Sequence, residues 1–315
     1  MFRLGLVGAG RMGRTHLRAL AGGSAVGITA IVEPVAAART AVSGSGATLH
    51  AEVYADLAEL LDARTVDGIL IAAPSDRHAE LVAQVAAAGL PILCEKPCGV
   101  SPADVARAAQ AAEEHGVPLQ VAYWRRYVPA LMALRMRIEQ GELGSLHLLT
   151  SYQWDGQPPA AAFRAHSGGI FIDMGVHEFD QVRWLTGQEF GEIQAVASPL
   201  VGDSEVTGDV DSAQAIAALS GGATAVISLG RYFPGGDMAR VEVFGTRDAV
   251  RTEFLDPAEG ERAQLEALRA QAEGFAEFAA GGACTGATVD DAAAALEAAE
   301  RASAAIAHLP AMLSS

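Results

Sequence analysis

Cysteine, positive charge and long apolar runs are all scarce in this chain, and each scarcity excludes something. There are three cysteines, Cys94, Cys98 and Cys284. They show no disulfide framework, which suits a reducing compartment, and the expected location is cytoplasmic. Cys94 and Cys98 are separated by the break Lys96-Pro97, so they need not face one another. No Cys/His cluster has ligand spacing, so no metal site is expected and zinc-dependent alcohol oxidation is set aside. Lys and Arg total 22 against 38 Asp and Glu, a formal charge of −16. Nucleic acid and anionic membrane surfaces both need basic partners, so neither is expected. The acidity itself reads as solubility. No apolar run reaches ~18 residues without a charge or turn former, so no membrane span is expected. The first strand begins within two residues of Met1, which leaves no room for a signal peptide.

Half of the residues are apolar and 19% are charged, a globular balance. A chain of 315 residues can bury one large core or two smaller ones. Alanine-rich stretches at 83–88 and 291–298 keep Leu and Val at helical spacing and read as surface helices.

Up to residue 122, strand and helix signals alternate. The strands are expected near 3–7, 28–33, 67–72, 91–94 and 118–122. The helices are expected near 12–21, 35–42, 56–62, 77–88 and 102–115. This alternation predicts an α/β fold: an N-terminal Rossmann-type, doubly wound parallel sheet over residues 1–122. Ligands of such sheets sit beyond the carboxyl ends of the strands, so the residues after each strand are read for function.

The first such turn is Gly8-Ala9-Gly10-Arg11-Met12-Gly13, a G-x-G-x-x-G between strand and helix. Gly8 allows the tight turn, Gly10 lets a pyrophosphate approach the backbone, and Gly13 lets the helix pack closely. The helix N-terminus favours phosphate. Glu33, 20 residues past Gly13, ends the second strand and can accept from both hydroxyls of an adenosine ribose. It is followed by Pro34-Val35, with no adjacent cation for a 2′-phosphate, so the expected cofactor is NAD and not NADP. Ala73, Pro74 and Ser75 would let the cofactor lie over the strand ends. Ser75 or Asp76 is the expected cap of the next helix. His78 could reach the nicotinamide, although a packing role fits equally well. Glu95-Lys96-Pro97 follows the strand 91–94 directly. A lysine there can help proton transfer or polarise a hydroxyl; position alone fits a surface pair with Glu95 equally.

GAGRMG, APSDRH and CEKP together resemble the Gfo/Idh/MocA family of oxidoreductases. The resemblance implies that Lys96 is catalytic, between substrate and nicotinamide, with Glu95 beside the cofactor.

The pattern changes after Tyr123-Trp124-Arg125-Arg126-Tyr127. A helix, 129–140, ends at Gly141 and Gly144. Strands follow near 146–154, 192–201, 210–219, 222–231 and 240–245, with a hairpin at Ser220-Gly221-Gly222 and a further short pair after Gly245. Two helices, near 262–281 and 289–307, close the chain, and Pro310 stops the last. Residues 123–315 are thus expected to form an α+β domain with a largely antiparallel open sheet, whose face implies a homo-oligomer, dimer or tetramer.

Residues 168–185 read GGIFIDMGVHEFDQVRWL. Asp173 and His177 stand at i and i+4 of a helix beginning near Ile170 and share a face. An Asp so placed can fix a histidine tautomer and steady its charged form; a plain surface pair fits the same spacing. Ile172, Val176, Phe179, Val182 and Leu185 form the core-facing side. This segment is very similar to that of inositol 2-dehydrogenases within the family, and GFAEFAAG (274–281) fits the family's C-terminal helix. The resemblance implies that His177 is a general base, that Asp173 supports it, and that the substrate is a cyclic polyol or sugar. Trp124, Arg125, Tyr152, Asp155 and His166 are candidate substrate contacts. The chain departs from the inositol enzymes at Trp124, where they carry Asn or Met, and at 233–238, which lacks their Tyr. This leaves room for another polyol, an aldose or amino sugar, or aldose–aldose exchange. A non-catalytic NAD(H) sensor is the other class, and Lys96, Asp173 and His177 argue against it.

Overall fold

A computed structural model describes residues 1–43, 51–198, 209–256 and 260–307. They fall into two compact units, 1–127 with 265–293 and 128–264 with 294–315.

In the first unit six parallel strands lie in the order β3-β2-β1-β4-β5-β6. They are β1 (Phe2–Val7), β2 (Val26–Val32), β3 (Glu52–Tyr54), β4 (Gly68–Ile71), β5 (Ile92–Cys94) and β6 (Leu119–Val121). The interleaved helices are α1 (Arg11–Leu20), α2 (Ala36–Ser43), α3 (Leu57–Ala63), α4 (His78–Ala87) and α5 (Pro102–His115). This is the doubly wound arrangement expected, with one strand more: β3 is a three-residue edge strand, too short to carry a period. Local chemistry sets the helix ends. Asp56 accepts from the Glu59 N–H to start α3, and Ser101 with Pro102 starts α5, which stops at a left-handed Gly116. The expected cap at Ser75 or Asp76 is not made. Ser75–Arg77 form a 3-10 turn with no side-chain cap, and α4 begins at His78.

Leu4, Leu6, Ile31, Leu70 and Leu93 are fully buried between sheet and helices. Ala272 and Phe275 join this cluster, with the Phe275 ring edge-on to Phe2 at 6.1 Å. Arg269 donates to the Ala19 carbonyl at 2.8 Å. The expected division at residue 122 therefore needs correcting. The first unit runs to 127 and recruits 265–293, because an apolar helix face late in the chain covers the Rossmann core.

The second unit begins with α6 (Pro129–Glu139), β7 (Leu146–Trp154) and a short α7 (Ala161–Arg164). A π-helical turn, Phe171–Gly175, leads into α8 (Val176–Thr186). Then come β8 (Phe190–Ser198), β9 (Ser212–Leu219), β10 (Thr224–Gly230), β11 (Met238–Gly245) and β12 (Ala249–Leu255). The chain continues through α9 (Gly260–Ala279), α10 (Val289–Ala304) and β13 (Ile306–Ala307). The sheet order is β12-β11-β7-β10-β9-β8-β13. Pairings are antiparallel except β7 with β10 and β8 with β13, as a largely antiparallel sheet predicts. The expected end of β8 at 199–201 and the stop at Pro310 lie outside the described residues.

Alternation decides the faces. In β9, Ala213, Ala215, Ala217 and Leu219 are buried while Ile216 is half exposed. The buried face meets α8, where Gln181 donates to Ser151 Oγ at 3.1 Å. Ile172, Val176, Phe179, Val182 and Leu185 are buried as expected, and Phe179 stands edge-on to Phe190 at 5.1 Å. The alanine stretch 291–298 is not a surface helix: Ala292, Ala295, Leu296 and Ala298 are buried, since alanine permits close packing.

Candidate active site

The Gly turn shows what each glycine is for. A Cβ on Gly8, where φ is +98°, would lie 2.7 Å from the Ala72 carbonyl oxygen. A Cβ on Gly13 would lie 2.0 Å from the Gly8 oxygen, so the start of α1 packs directly on the turn. Gly10 differs: among the described residues, none beyond its chain neighbours and its own helix backbone comes within 4 Å of its missing Cβ. Protein packing explains the first and third glycines, whereas the second borders open space. Gly10 caps α1 with no side-chain bond, and the first turn has no acidic residue, leaving its N–H groups for an anion. Arg11 is exposed and Met12 half-buried beside it.

Glu33 is buried and braces this turn. Its Oε2 accepts from the Ala9 N–H and its Oε1 from the Val35 N–H, both at 2.9 Å. These residues fit an adenine dinucleotide: an open Gly turn at a helix start and a fixed carboxylate at the end of β2.

Two buried histidines hold the neighbouring turns. His16, on the buried face of α1, meets Glu95 Oε1 at 2.7 Å. Glu95 Oε2 accepts the Lys96 N–H at 3.2 Å. His78 places Nδ1 2.7 Å from the Pro97 carbonyl and Nε2 2.8 Å from the Ala73 carbonyl. Burial pushes the His78 pKa below its ordinary value, with the two carbonyls opposing. Both ring nitrogens are thus engaged inside the protein. His78 ties the Ala73-Pro74-Ser75 turn to the Lys96-Pro97 turn and does not reach out to a nicotinamide, which corrects the expectation from sequence. Cys94 and Cys98 do face one another, and burial pushes the Cys94 thiol up, with the Cys98 contact adding to it.

Lys96 is partly buried at the end of β5. It is also the single lysine of the chain; every other member of the Lys and Arg set is arginine. Arginine stays protonated, whereas a lysine can release its proton, so composition itself marks this position. Trp124 and Arg125 are both buried in a 3-10 turn, 5% and 3% exposed.

In the second unit Gly168 and Gly169, at φ +82° and +88°, turn the chain into the Asp173 segment. The N–H groups of Ile172 and Asp173 donate to the Gly169 carbonyl. Asp173 is 12% exposed and accepts from Arg231 Nη1 at 2.7 Å. His177 is 7% exposed, at the start of α8. Asp155 follows β7, and its N–H donates to the Gly230 carbonyl at the end of β10. Burial raises its pKa, Asp237 and Asp173 add to this, and Gln153 and Arg231 oppose it. The departing stretch 233–238 packs here: Phe233 donates to the Asp155 carbonyl, and Asp237 accepts from Gly156 at 2.7 Å. His166 is exposed after α7.

Tyr152 is misplaced by the sequence reading. It lies on the sheet face opposite Ser151, away from α8, with Arg240 stacked 4.4 Å above its ring. Strand alternation puts neighbours on opposite faces, and only the position of α8 shows which face is which. Arg164, Asp209 and Arg231, all fully buried around Asp173, are residues that sequence reasoning missed.

Comparison with known proteins agrees with this geometry. Residues 2–123 match the model of an oxidoreductase family with an NAD-binding Rossmann fold, and 131–251 match the GFO/IDH/MocA C-terminal domain. The chain is 50% identical to the rhizopine catabolism protein MocA of Rhizobium meliloti, covering 96% of this chain and 94% of that one. It belongs to the Gfo/Idh/MocA family. As a member of that family it is an oxidoreductase and its cofactor is NAD. An inositol 2-dehydrogenase of Rhizobium meliloti (strain 1021) is 33% identical, over 81% of this chain and 76% of its own. Among solved structures, GenD2 from gentamicin A biosynthesis, in complex with NAD, matches with a TM-score of 0.86 and 26% identity, covering 96% and 93% of the two chains. Among the described residues no helix is long and apolar enough to cross a membrane.

Proposed function

We propose that this family member oxidises a secondary hydroxyl of a cyclic polyol, an inositol, with NAD as the acceptor. The observation that carries the reading is the Asp173–His177 segment: a buried histidine one turn after a carboxylate that is itself held by Arg231. His177 takes the hydroxyl proton. Asp173 orients the imidazole and steadies its charged form. Lys96 hydrogen-bonds the reacting oxygen. NAD held by the Gly8–Gly13 turn and Glu33 would supply the hydride acceptor. General base catalysis of this kind contributes about 10²–10⁴-fold, and positioning supplies much of the rest. Trp124, Arg125, Asp155 and His166 offer polar and aromatic surface to the ring. Similarity to a named inositol 2-dehydrogenase supports the substrate class. The turn 233–238, packed against Asp155, favours a second reading in which the ring is an aldose or amino sugar. A bystander NAD(H) sensor would need neither His177 nor Lys96.

The outer face of the second sheet carries Ile216 and Phe244, 51% and 41% exposed, and supports a homo-oligomer formed through that face, measurable by light scattering. The reducing compartment suggested by the free cysteines supports cytoplasmic action.

Lys96→Met and His177→Ala test the chemistry. Both should keep NADH binding and lose turnover by about 10²-fold or more, with His177→Ala partly rescued at high pH. Unchanged turnover in either would remove that residue from the reaction.

A further inference from the structure

A chain of buried charges in the second unit is not used by any of these steps. Arg231 follows β10 and is fully buried. Its Nη1 donates to Asp173 Oδ2 and its Nη2 to Asp209 Oδ2, both at 2.7 Å. Asp209 Oδ2 also accepts from Arg164 Nε at 3.0 Å, and Arg164 Nη2 lies 3.5 Å from Asp211 Oδ1. The side chains of Arg164, Asp209 and Arg231 are all 0% exposed. The backbone fixes the same group, because the Arg231 N–H donates to the Asp211 carbonyl at 2.8 Å.

Buried ion networks are poor devices for stability, since desolvation offsets most of their attraction. What they do well is fix geometry. A planar guanidinium can hold two carboxylates at set angles, which a lysine ammonium cannot. Here one end of the network, Asp209 with Arg164, is sealed from solvent. The other end is the one partly exposed carboxylate, Asp173. The arrangement is that of an anchored arm with Asp173 at its tip.

We infer that Arg231 is a positioning residue for Asp173, anchored by Asp209 and Arg164, and that it sets the orientation in which Asp173 supports His177. This rests on the Asp173–His177 reading above. Arg231 itself is fully buried, so its role is positioning and not contact.

The test compares Arg231→Met, Arg231→Lys, Asp209→Asn and Asp173→Asn in the full-length protein. The assay is NAD reduction with the best-turned-over member of a set of inositol isomers and aldoses, and NADH titration checks that each variant is folded and loads cofactor. Arg231→Met should lower kcat about tenfold or more while KM for the polyol and NADH affinity stay within about threefold. Arg231→Lys should recover part of the loss, and Asp209→Asn should fall between wild type and Arg231→Met. If Arg231→Met does not fold, the other two variants, which keep charge or shape, carry the comparison. Wild-type kcat in folded Arg231→Lys and Asp209→Asn, or a loss confined to KM, would overturn the inference. If Asp173→Asn abolishes turnover while the Arg231 and Asp209 variants keep it, only the positioning role fails. If Asp173→Asn leaves kcat unchanged, or wild type turns over no member of the set, the underlying reading fails instead.

Discussion

Glu33 Oε2 accepts a hydrogen bond from the Ala9 N–H at 2.9 Å, so the carboxylate that ends β2 is locked to the Gly turn of β1. Each carboxylate oxygen has a further lone pair, which leaves both able to accept from ribose hydroxyls. The cation absent from the adjacent sequence is nevertheless nearby. Arg39 Nη1, on α2, donates to the carbonyls of Glu33 and Pro34. On the proposed reading, a preference for NAD over NADP rests on the Glu33 carboxylate and not on a lack of positive charge.

Replacing Glu33 by alanine should lower kcat/KM for NAD by about tenfold or more and shift the NAD/NADP ratio toward NADP, because Arg39 then becomes the dominant charge near the 2′ position. Steady-state kinetics with both cofactors check this. An unchanged ratio would place the ribose elsewhere.

The glycine geometry separates folding from binding. Gly10→Ala points a methyl into open space. It should leave Tm within ~2 °C, yet weaken NADH binding by about tenfold, since the methyl fills the approach to the pyrophosphate. Gly13→Ala would drive a methyl into the Gly8 carbonyl, so it should lose folded protein as well. Differential scanning fluorimetry and NADH titration distinguish the two.

Asp155 gives a pH signature. Burial raises its folded-state pKa, helped by Asp237 and Asp173. A raised carboxyl pKa favours the folded state below the unfolded value, ~3.9, and that contribution is lost as pH rises through the folded value. Asp155→Asn, always neutral, should therefore be more stable than wild type at neutral pH, and the difference should shrink as the pH approaches ~4. Each kcal/mol would read as roughly 2–4 °C in Tm. With Asp155 as a proposed substrate contact, the gain should come with lower turnover. Thermal melts across pH measure it, and a wild-type-like profile would contradict it.

Local sequence carried the elements whose causes are local. Strand-end position and spacing mark Gly8 to Gly13 and Glu33, whereas position alone leaves Lys96 equally a surface pair with Glu95 and only the family resemblance singles it out. The i, i+4 spacing of Asp173 and His177 is legible but fits a plain surface pair as well, and only the family resemblance proposes their roles; the π turn at Phe171–Gly175 is not legible, since side-chain period does not encode it. The Arg231 network joins residues 58, 22 and 45 positions apart, and no window along the chain brings these together. Sequence leaves His78 equally open to a nicotinamide contact and to a packing role; only the packed turns reveal the two carbonyls that claim it. The late helix near 262–281 is legible, but its seat on the Rossmann core is not, because an amphipathic pattern says which face is buried and not against what.

We propose, above all, that this chain is an NAD-dependent dehydrogenase of a cyclic polyol. The most direct measurement is NADH formation at 340 nm across inositol isomers and aldoses, with NAD and NADP in parallel. The expected result is turnover of an inositol with NAD, with NADP at least about tenfold poorer in kcat/KM. Tight NADH binding with no turnover of any polyol or sugar would contradict it.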